Sequence, residues 1–499
     1  MNSEMSIPNV LIANQANEEN QNTELNTVRL TPNSFANNTV NFVLPKLGHV
    51  LDHNSSLVWS VSWDGYDQAR LTNNQRVVLK NFSGCLNTLR RARMYVGGRL
   101  LFTNPDPAQV IHIDKISTNP DHYEEVEDVK LGGQHGFHLL EGSNNQTGVI
   151  KMGADVSTAD PGFNRVTRAL GSFSTTGTAN AAWEGTVLLS DLFPALKGGI
   201  QIPIALLQED IRVEVDFETD FSEVALVIRN TNALANTNIS IKNPLMILDY
   251  LTYEPVVEAG LREAMAAGIT IPYRQVDQIT KVIPPYTTAA KQNDVFLGFQ
   301  GKLLMKVYAS IRAANTVNAV DSAMNRGNGR CRSRACKDMK FNLIVNDLNI
   351  FDQPVDTSSQ KYNYLSMAKQ FPVFIYPNSF DYNKRWNQAT SANDFNAGEV
   401  IFGGTTNDPA VLSNAFCRDM VAGTQSYIGV DLSKYGPGGG INPANAGYRV
   451  GSTPMILQIT YDGGANANVP DGVAHTVDVF CESVKVLQMR NGLVEVMDA

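Results

Sequence analysis

The chain has 499 residues, of which 18% are charged and 43% are hydrophobic, and its formal net charge is −9. This length predicts two domains of roughly 200 to 250 residues, and the hydrophobic fraction excludes wholesale disorder. The negative charge argues against a protein that neutralises nucleic-acid phosphates over its whole surface, and no apolar run approaches the roughly 18 to 20 residues that cross a bilayer.

Residues 1–27 are rich in Asn, Gln and Glu and predict a mobile N-terminal arm. The segment 1–21 has neither the basic start nor the apolar stretch of a secretory signal, so we expect the protein to fold in a reducing compartment. Five cysteines are an odd and sparse number for this length, which favours free thiols over a disulfide framework. They are Cys85, Cys331, Cys336, Cys417 and Cys481.

Alternation of apolar and polar residues predicts strands with one buried face in both halves of the chain. It is clear over Leu57–Trp63 and over Ile211–Phe217, and it returns over Phe341–Val345. One further strand is predicted to bury Leu303, Met305, Val307, Ala309 and Ile311 on a single face. The chain is therefore expected to be mainly β.

Helices are predicted to be few and short. Asp106-Pro107 and Asp408-Pro409 each combine a capping carboxylate with a proline suited to the first helical position. Pro255 opens another helix, which should end at Gly268 and connect the two domains. Its predicted buried face consists of Val257, Leu261, Ala264 and Met265.

The two halves share a weak internal duplication. Val96–Phe102 and Val345–Phe351 each follow a strand with a turn, and they lie roughly 250 residues apart. Ile202–Gln208, interpreted as a strand, matches Ser452–Gln458 at nearly the same offset. The pattern indicates two copies of one β domain.

This order of features, with the turn at Gly97-Gly98 and the segment Leu189–Phe193, resembles the double jelly-roll major capsid proteins of double-stranded DNA viruses of eukaryotes. The lineage is that of polinton-like viruses, virophages and nucleocytoplasmic large DNA viruses. The resemblance implies an all-β fold of two tandem eight-stranded jelly-roll sandwiches with a few short helices in loops. It implies an arm over 1–27, sandwiches over 28–253 and 271–499, and a linker helix over 254–270.

The same resemblance implies a function in assembly. We expect a major capsid protein that forms homotrimers of pseudo-hexameric outline, which tile an icosahedral shell around a double-stranded DNA genome. Its partners would be neighbouring capsomers and minor capsid or penton proteins. It would reside in the virion after assembly in the cytoplasm or nucleus of the host cell.

Family topology, as the resemblance implies it, makes Thr39–Leu44 strand B, Leu57–Trp63 strand C and the region around Leu89–Val96 strand D. The long segments before Trp183 and before Leu432 would then rise as outward towers. Such loops are where host contact and antigenic surface are expected.

A basic loop is the densest positive cluster of the sequence. It consists of Arg326, Arg330, Arg332, Arg334 and Lys337. The family topology implied above makes it a connection between strands C and D of the second domain, so we expect it to face the particle interior. There it would contact the genome, an internal membrane or a minor capsid protein; the alternative is a solvated loop or an ion pair between capsomers.

Motifs for chemistry are weak, and we predict no catalytic residue, cofactor or metal. Cys331 and Cys336 lack a second ligand pair, and His135 and His138 lack a third ligand. The glycines of 436–440 are not followed by the lysine of a phosphate-binding loop, and no Gly-x-Ser-x-Gly motif occurs. The alternatives are a minor capsid, vertex or spike protein and, from another class, a double jelly-roll glycan or glycopeptide hydrolase.

Overall fold

A computed structural model describes eleven parts of the chain: residues 24–63, 76–79, 84–118, 183–197, 201–228, 239–284, 291–313, 339–356, 428–432, 447–461 and 475–498. Strands dominate these parts, in agreement with the all-β prediction. The predicted helix at Asp408-Pro409 lies outside the described residues.

Twelve described strands belong to the first half of the chain. They are β1 Glu24–Leu30, β2 Ser34–Ala36, β3 Thr39–Leu44, β4 Val50–Leu51, β5 Ser56–Trp63, β6 Arg76–Leu79, β7 Leu89–Val96, β8 Arg99–Asn104, β9 Trp183–Leu188, β10 Ile211–Phe217, β11 Ala225–Ile228 and β12 Ile239–Thr252.

Eleven described strands belong to the second half. They are β13 Ile269–Ile283, β14 Lys291–Leu297, β15 Leu303–Ala313, β16 Met339–Val345, β17 Leu348–Asn349, β18 Val355–Asp356, β19 Ile428–Asp431, β20 Tyr448–Arg449, β21 Met455–Tyr461, β22 His475–Arg490 and β23 Leu493–Asp498.

The described α-helices are α1 Pro107–Thr118, α2 Leu189–Leu192, α3 Phe221–Val224 and α4 Pro255–Ala267, and single 3-10 turns occur at Gly84–Thr88, Pro194–Leu196 and Ile204–Leu206. Helix α1 begins at the proline after Asp106, whose carboxylate accepts a hydrogen bond from the backbone N–H of Gln109 at 3.3 Å. Helix α4 ends at Gly268, whose φ of +106° suits a residue without a side chain. Both helix predictions are confirmed.

The same strand order occurs in both halves. In the first half one sheet has the order β1-β12-β5-β9 and the other has β3-β10-β7-β8. In the second half the orders are β13-β22-β15-β19 and β14-β21-β16-β17. If the eight strands of these orders in each half are lettered B to I along the chain, leaving aside β2 beside β3 and the other short strands, these are the sheet orders B-I-D-G and C-H-E-F of a jelly roll.

The strand letters expected from the sequence are wrong by one position. Strand B of the first half is β1, so Thr39–Leu44, Leu57–Trp63 and Leu89–Val96 lie in strands C, D and E. Four residues of the predicted arm, 24–27, pair with β12 as the first part of β1. The cause is the polar and largely exposed sequence of this edge strand, which has no clear apolar alternation.

Ile202–Gln208 is not a strand, contrary to the prediction. Ile202 forms an isolated bridge with Leu51, and the chain then makes a 3-10 turn at Ile204–Leu206. Pro203 lacks the backbone N–H that a ladder needs, and strand H begins at Ile211 instead. The second copy of the pattern does form a strand, β21.

Met305 also departs from its predicted face. The register of β15 against β22 shifts between Leu304 and Lys306, and a bulge of this kind moves the side chains before it to the opposite face. Leu304 therefore joins the second core with Val307, whereas Met305 contacts Val484 outside it.

The first core is closed tightly around Trp59. Its indole is fully buried and its Nε1 donates to the Thr88 hydroxyl at 3.0 Å. Gly185, on the neighbouring strand β9, faces the indole so closely that a Cβ at this position would lie 2.5 Å from two of its ring carbons and 2.9 Å from the Cβ of Cys85. Only glycine fits there without displacing the ring.

We predict that Gly185→Ala destabilises the first sandwich by about 1 to 3 kcal/mol, because the methyl group overpacks a fully buried site. Denaturant unfolding followed by Trp fluorescence measures the change in midpoint. Gly98→Ala is the matched control, since nothing lies within 4 Å of a Cβ at that position. Equal midpoints for the two variants would contradict the predicted packing.

Candidate assembly surfaces

The edge strand β8 of the first domain lies against β13 of the second. Tyr273 donates its hydroxyl to the carbonyl of Leu101 at 3.3 Å, and Gln275 donates its amide to the carbonyl of Thr103 at 2.9 Å. The rings of Phe102 and Tyr273 meet edge to face with centroids 5.1 Å apart. Side chains of the second domain thus satisfy carbonyl groups of an edge strand that would otherwise be unpaired.

Helix α1 covers the outer face of the second domain's B-I-D-G sheet. Val110 and Ile113 of the helix form a buried cluster with Val276 of β13, Tyr308 of β15 and Phe480 of β22. The rings of Tyr308 and Phe480 stack with centroids 5.3 Å apart. This part of the sheet is buried on both faces, because Val307 and Cys481 point into the second core.

A buried carboxylate lies at the edge of this apolar cluster. Asp478 accepts hydrogen bonds from the Thr280 hydroxyl at 2.6 Å, from the Gln278 amide at 3.2 Å and from the Gln109 amide at 3.3 Å. Gln109 also donates to Asp106 at 2.8 Å. The network joins the start of α1 to two strands of the other domain.

The sequence interpretation missed this contact between the domains. A usable signal was present in β22, where Val479, Phe480 and Cys481 are three consecutive apolar residues. Such a run is typical of a strand that is buried on both faces. The alternation rule assumes one solvent-facing side and gives no indication of which element covers the second face.

The outer face of the first domain's C-H-E-F sheet has a different character. Arg91 and Arg93 of β7 pair with Asp216 of β10 at 2.9 and 3.0 Å, and the Thr39 hydroxyl of β3 donates to the same carboxylate at 2.8 Å. Arg93 also pairs with Glu214. Burial opposes ionisation of Asp216, but the hydroxyl and the two guanidinium groups outweigh it and lower its pKa below the usual 3.8.

The predicted basic loop, Arg326, Arg330, Arg332, Arg334 and Lys337, lies outside the described residues. The strands on either side of it are β15 and β16, which are strands D and E, so the expected position between C and D is wrong. Ala313, the last residue of β15, pairs with His475, the first residue of β22. Lys340, at the start of β16, pairs with Asp356 of β18, so the described strand ends on either side of the loop lie near the residue that precedes the segment 357–427.

Other sequence motifs also fall outside the described residues, namely the cysteines Cys331, Cys336 and Cys417, the pair His135 and His138, and the glycines of 436–440. Cys85 and Cys481 are described, and burial raises the pKa of both thiols. Within the eleven described parts of the chain no cluster of His, Cys, Asp or Glu could hold a metal ion. Within the same parts no helix has the length and apolar character to span a bilayer.

The repeated sheet order and the packed domains define a double jelly roll. Three solved structures that share this fold over almost the whole chain are similar to it. PBCV-1 VP54, as fitted into a reconstruction of the virophage Sputnik, has a TM-score of 0.50 at 12% identity, with 96% of this chain and 97% of that chain covered. A chain of the PBCV-1 virus capsid gives 0.50 at 11% identity, with 96% and 97% covered.

A chain of the Sputnik virophage structure has a TM-score of 0.52 at 13% identity, with 95% of this chain and 89% of that chain covered. No family model matches the sequence, and no curated protein matches it. The likeness therefore shows the fold and confirms the double jelly-roll prediction.

Asp478→Ala should lower the free energy of unfolding by about 2 to 4 kcal/mol, because it removes the buried acceptor of the Thr280 hydroxyl and the Gln278 amide and weakens the link to Gln109. Asp478→Asn should cost less, since its carbonyl still accepts from Thr280. Urea unfolding of both variants and the wild type measures the difference. The interpretation fails if the alanine variant is as stable as the asparagine variant.

The ion pairs of Asp216 predict that the free energy of unfolding depends on pH. Because its folded pKa is lowered, its stabilising contribution is present above 3.8 and is lost as pH falls through the lower folded value. Asp216→Asn should reduce stability by about 1 kcal/mol or less at pH 7, since Arg91 is half exposed and water screens the pair. The urea midpoints of Asp216→Asn, measured from pH 7 to pH 2, should converge with those of the wild type at the acid end.

Proposed function

We propose that this chain is a major capsid protein, a structural building block without an active site. The observation that carries the proposal is the duplicated jelly-roll order, which extends from β1 to β22 and matches over nearly the whole length of chains from viral capsid structures. Fold by itself does not define function. The support for assembly comes from a chain built of two similar units that contact each other through extensive apolar surface.

The proposed domain division is a first sandwich that begins with β1, the linker helix α4 and a second sandwich that begins with β13, close to the expected bounds of 28–253, 254–270 and 271–499. Helix α4 supports this division because it follows the last strand of one sandwich and precedes the first strand of the next. Its Leu261 and Met265 are buried against the first core. The helix thereby holds the second sandwich close to the first.

We further propose that three copies form a homotrimer of pseudo-hexameric outline, because six similar domains fit a closed ring with threefold symmetry. Such trimers would tile an icosahedral shell around a double-stranded DNA genome. Neighbouring capsomers and minor capsid or penton proteins would be the partners, and the virion would be the final location after assembly in the host cytoplasm or nucleus.

The basic loop needs a second proposal beside the one that its expected C–D position suggested. Its flanking strands D and E lead to the sandwich end that also carries the long F–G segment. If long segments rise outward as in similar proteins, the loop belongs to the outer surface. Contact with the genome, an internal membrane or a minor capsid protein stays one proposal for this loop, and contact with surface proteins or with a neighbouring capsomer is the other.

The mass of the purified protein in solution tests the assembly proposal. Light scattering after size exclusion should give about three times the chain mass, as closed threefold symmetry requires, and electron microscopy of the same fraction should show hexagonal outlines. A monomer at all accessible concentrations would contradict the proposal. A monomer that also cleaves glycans would favour the hydrolase alternative.

A further inference from the structure

Strand I of the second domain, β22, continues into a hairpin with β23. The two strands form an antiparallel ladder, and Asn491 and Gly492 make the turn between them. Both turn residues have positive φ, +50° and +78°, which is the geometry of a type I′ turn and accounts for the Asn-Gly sequence. Residues 491–498, which comprise the turn and β23, form a strap that extends beyond the eight jelly-roll strands.

The turn of the strap is hydrogen-bonded to two segments outside the second domain. The backbone N–H of Asn491 donates to the carbonyl of Met265, at the end of the linker helix, at 3.1 Å. Gln208, between strands G and H of the first domain, donates its backbone N–H to the carbonyl of Gly492 at 3.0 Å. The side-chain amide of Gln208 also donates to the carbonyl of Asn491 at 2.8 Å. The turn is thus fastened to the linker helix and to the first domain.

Strand β23 of the strap packs against the first domain as well. Val494 is buried in the first core, and Val496 packs against the same core. Arg99, which follows the β7–β8 turn, donates its Nη1 to the carbonyl of Val494 at 3.1 Å. Among the described residues, the second core includes none after Cys481. The strap therefore belongs to the second domain by strand pairing and to the first domain by packing.

The fit between the strap and the first domain is closest at Gly492. A Cβ at this position would lie 2.8 Å from the carbonyl oxygen of Leu206 and 2.8 Å from Cγ of Gln208. Gly301, between strands C and D of the second domain, has nearly the same φ of +76°, but nothing lies within 4 Å of a Cβ there. The close contact at Gly492 is therefore a property of the strap and not of its backbone conformation.

The other face of the strap is open to solvent. Leu493 is 54% exposed and Met497 is 40% exposed, and Glu495 between them is also exposed. The hydrogen bond from the Gln208 amide to Asn491 lies at the exposed surface too. A segment that is covered on one side only, and that contributes nothing to the second core, can separate from the first domain at a small cost in free energy.

We infer that the strap opens and closes, and that its closed state fixes the arrangement of the two domains. In the closed state the turn holds the linker helix and the G–H segment, and Val494 is buried in the first core. In the open state both sandwiches stay folded and joined through α1, with more freedom in their relative orientation. Trimer formation requires the closed state, because subunits around a threefold axis need the same domain arrangement. This last step rests on the proposed capsid function.

Two glycine substitutions with equal backbone strain test the strap. Gly492→Ala adds a methyl group against the carbonyl of Leu206 and should open the strap, whereas Gly301→Ala is the matched control at the same φ without a neighbour. Hydrogen exchange measured by mass spectrometry reports the opening, because the amides of Gln208 and Asn491 both donate across the contact. Their exchange should be roughly tenfold faster or more in Gly492→Ala than in Gly301→Ala. Light scattering should show that only Gly492→Ala loses the trimer.

Arg99→Ala keeps the test decisive if Gly492→Ala does not fold. It removes the donor to the carbonyl of Val494 and leaves the turn unchanged. The same two amides should exchange roughly threefold faster or more than in Arg90→Ala, the control at an exposed arginine of β7. Circular dichroism melting checks that each variant remains folded.

Equal exchange of the Gln208 and Asn491 amides in Gly492→Ala and Gly301→Ala, together with no change in Arg99→Ala, overturns the inference. Faster exchange with an intact trimer overturns the requirement for a closed strap in assembly. A wild-type protein that never forms a trimer contradicts the capsid proposal itself. The exchange of the two amides in the monomer still decides whether the strap opens.

Discussion

The outer face of the second domain's B-I-D-G sheet is buried under a helix that belongs to the first domain. Tyr308 and Phe480 would be large exposed apolar residues without Val110 and Ile113 above them, and exposure of such a patch is costly in water. Because α1 starts three residues after the end of β8, the edge strand and the helix reach the second domain together. This contact therefore helps to set the relative arrangement of the two sandwiches.

Polar groups then restrict that contact to one geometry. Apolar packing alone is not directional, whereas Asp478 needs its donors from Thr280, Gln278 and Gln109 in fixed positions. A buried carboxylate that lost them would be strongly destabilising. The second domain is therefore held in both position and orientation.

Because of the duplication, each domain has a B-I-D-G sheet, and the outer faces of the two sheets can be compared. Val58 and Leu245 form a cross-strand pair on the outer face of the first domain's sheet, as Tyr308 and Phe480 do on the outer face of the second domain's sheet. The side chains are smaller on the first domain. Tyr308 and Phe480 are buried when the chain folds, whereas Val58 and Leu245 stay half-buried.

Much of the fold could be predicted from local patterns. Strand β10 alternates cleanly because one face is buried and one is solvated, and α1 and α4 carry their own start signals. The errors have local causes too. The edge strand β1 is too polar to show a pattern, Pro203 breaks an otherwise plausible strand, and a bulge in β15 changes the face of Met305. Because β1 was not recognised as a strand, the letters expected for the next three strands of the first domain were wrong by one position.

By itself, the sequence determined that the protein is a duplicated β structure with a helix between the copies, because period-two alternation and capping residues act over a few neighbouring positions. Only the tertiary structure decided which face of each sheet is covered, and by what. Val110 lies hundreds of residues before Asp478 and Phe480 in the chain, and their meeting depends on the packing of whole sheets. No sequence pattern within one strand indicates which element covers the strand's second face.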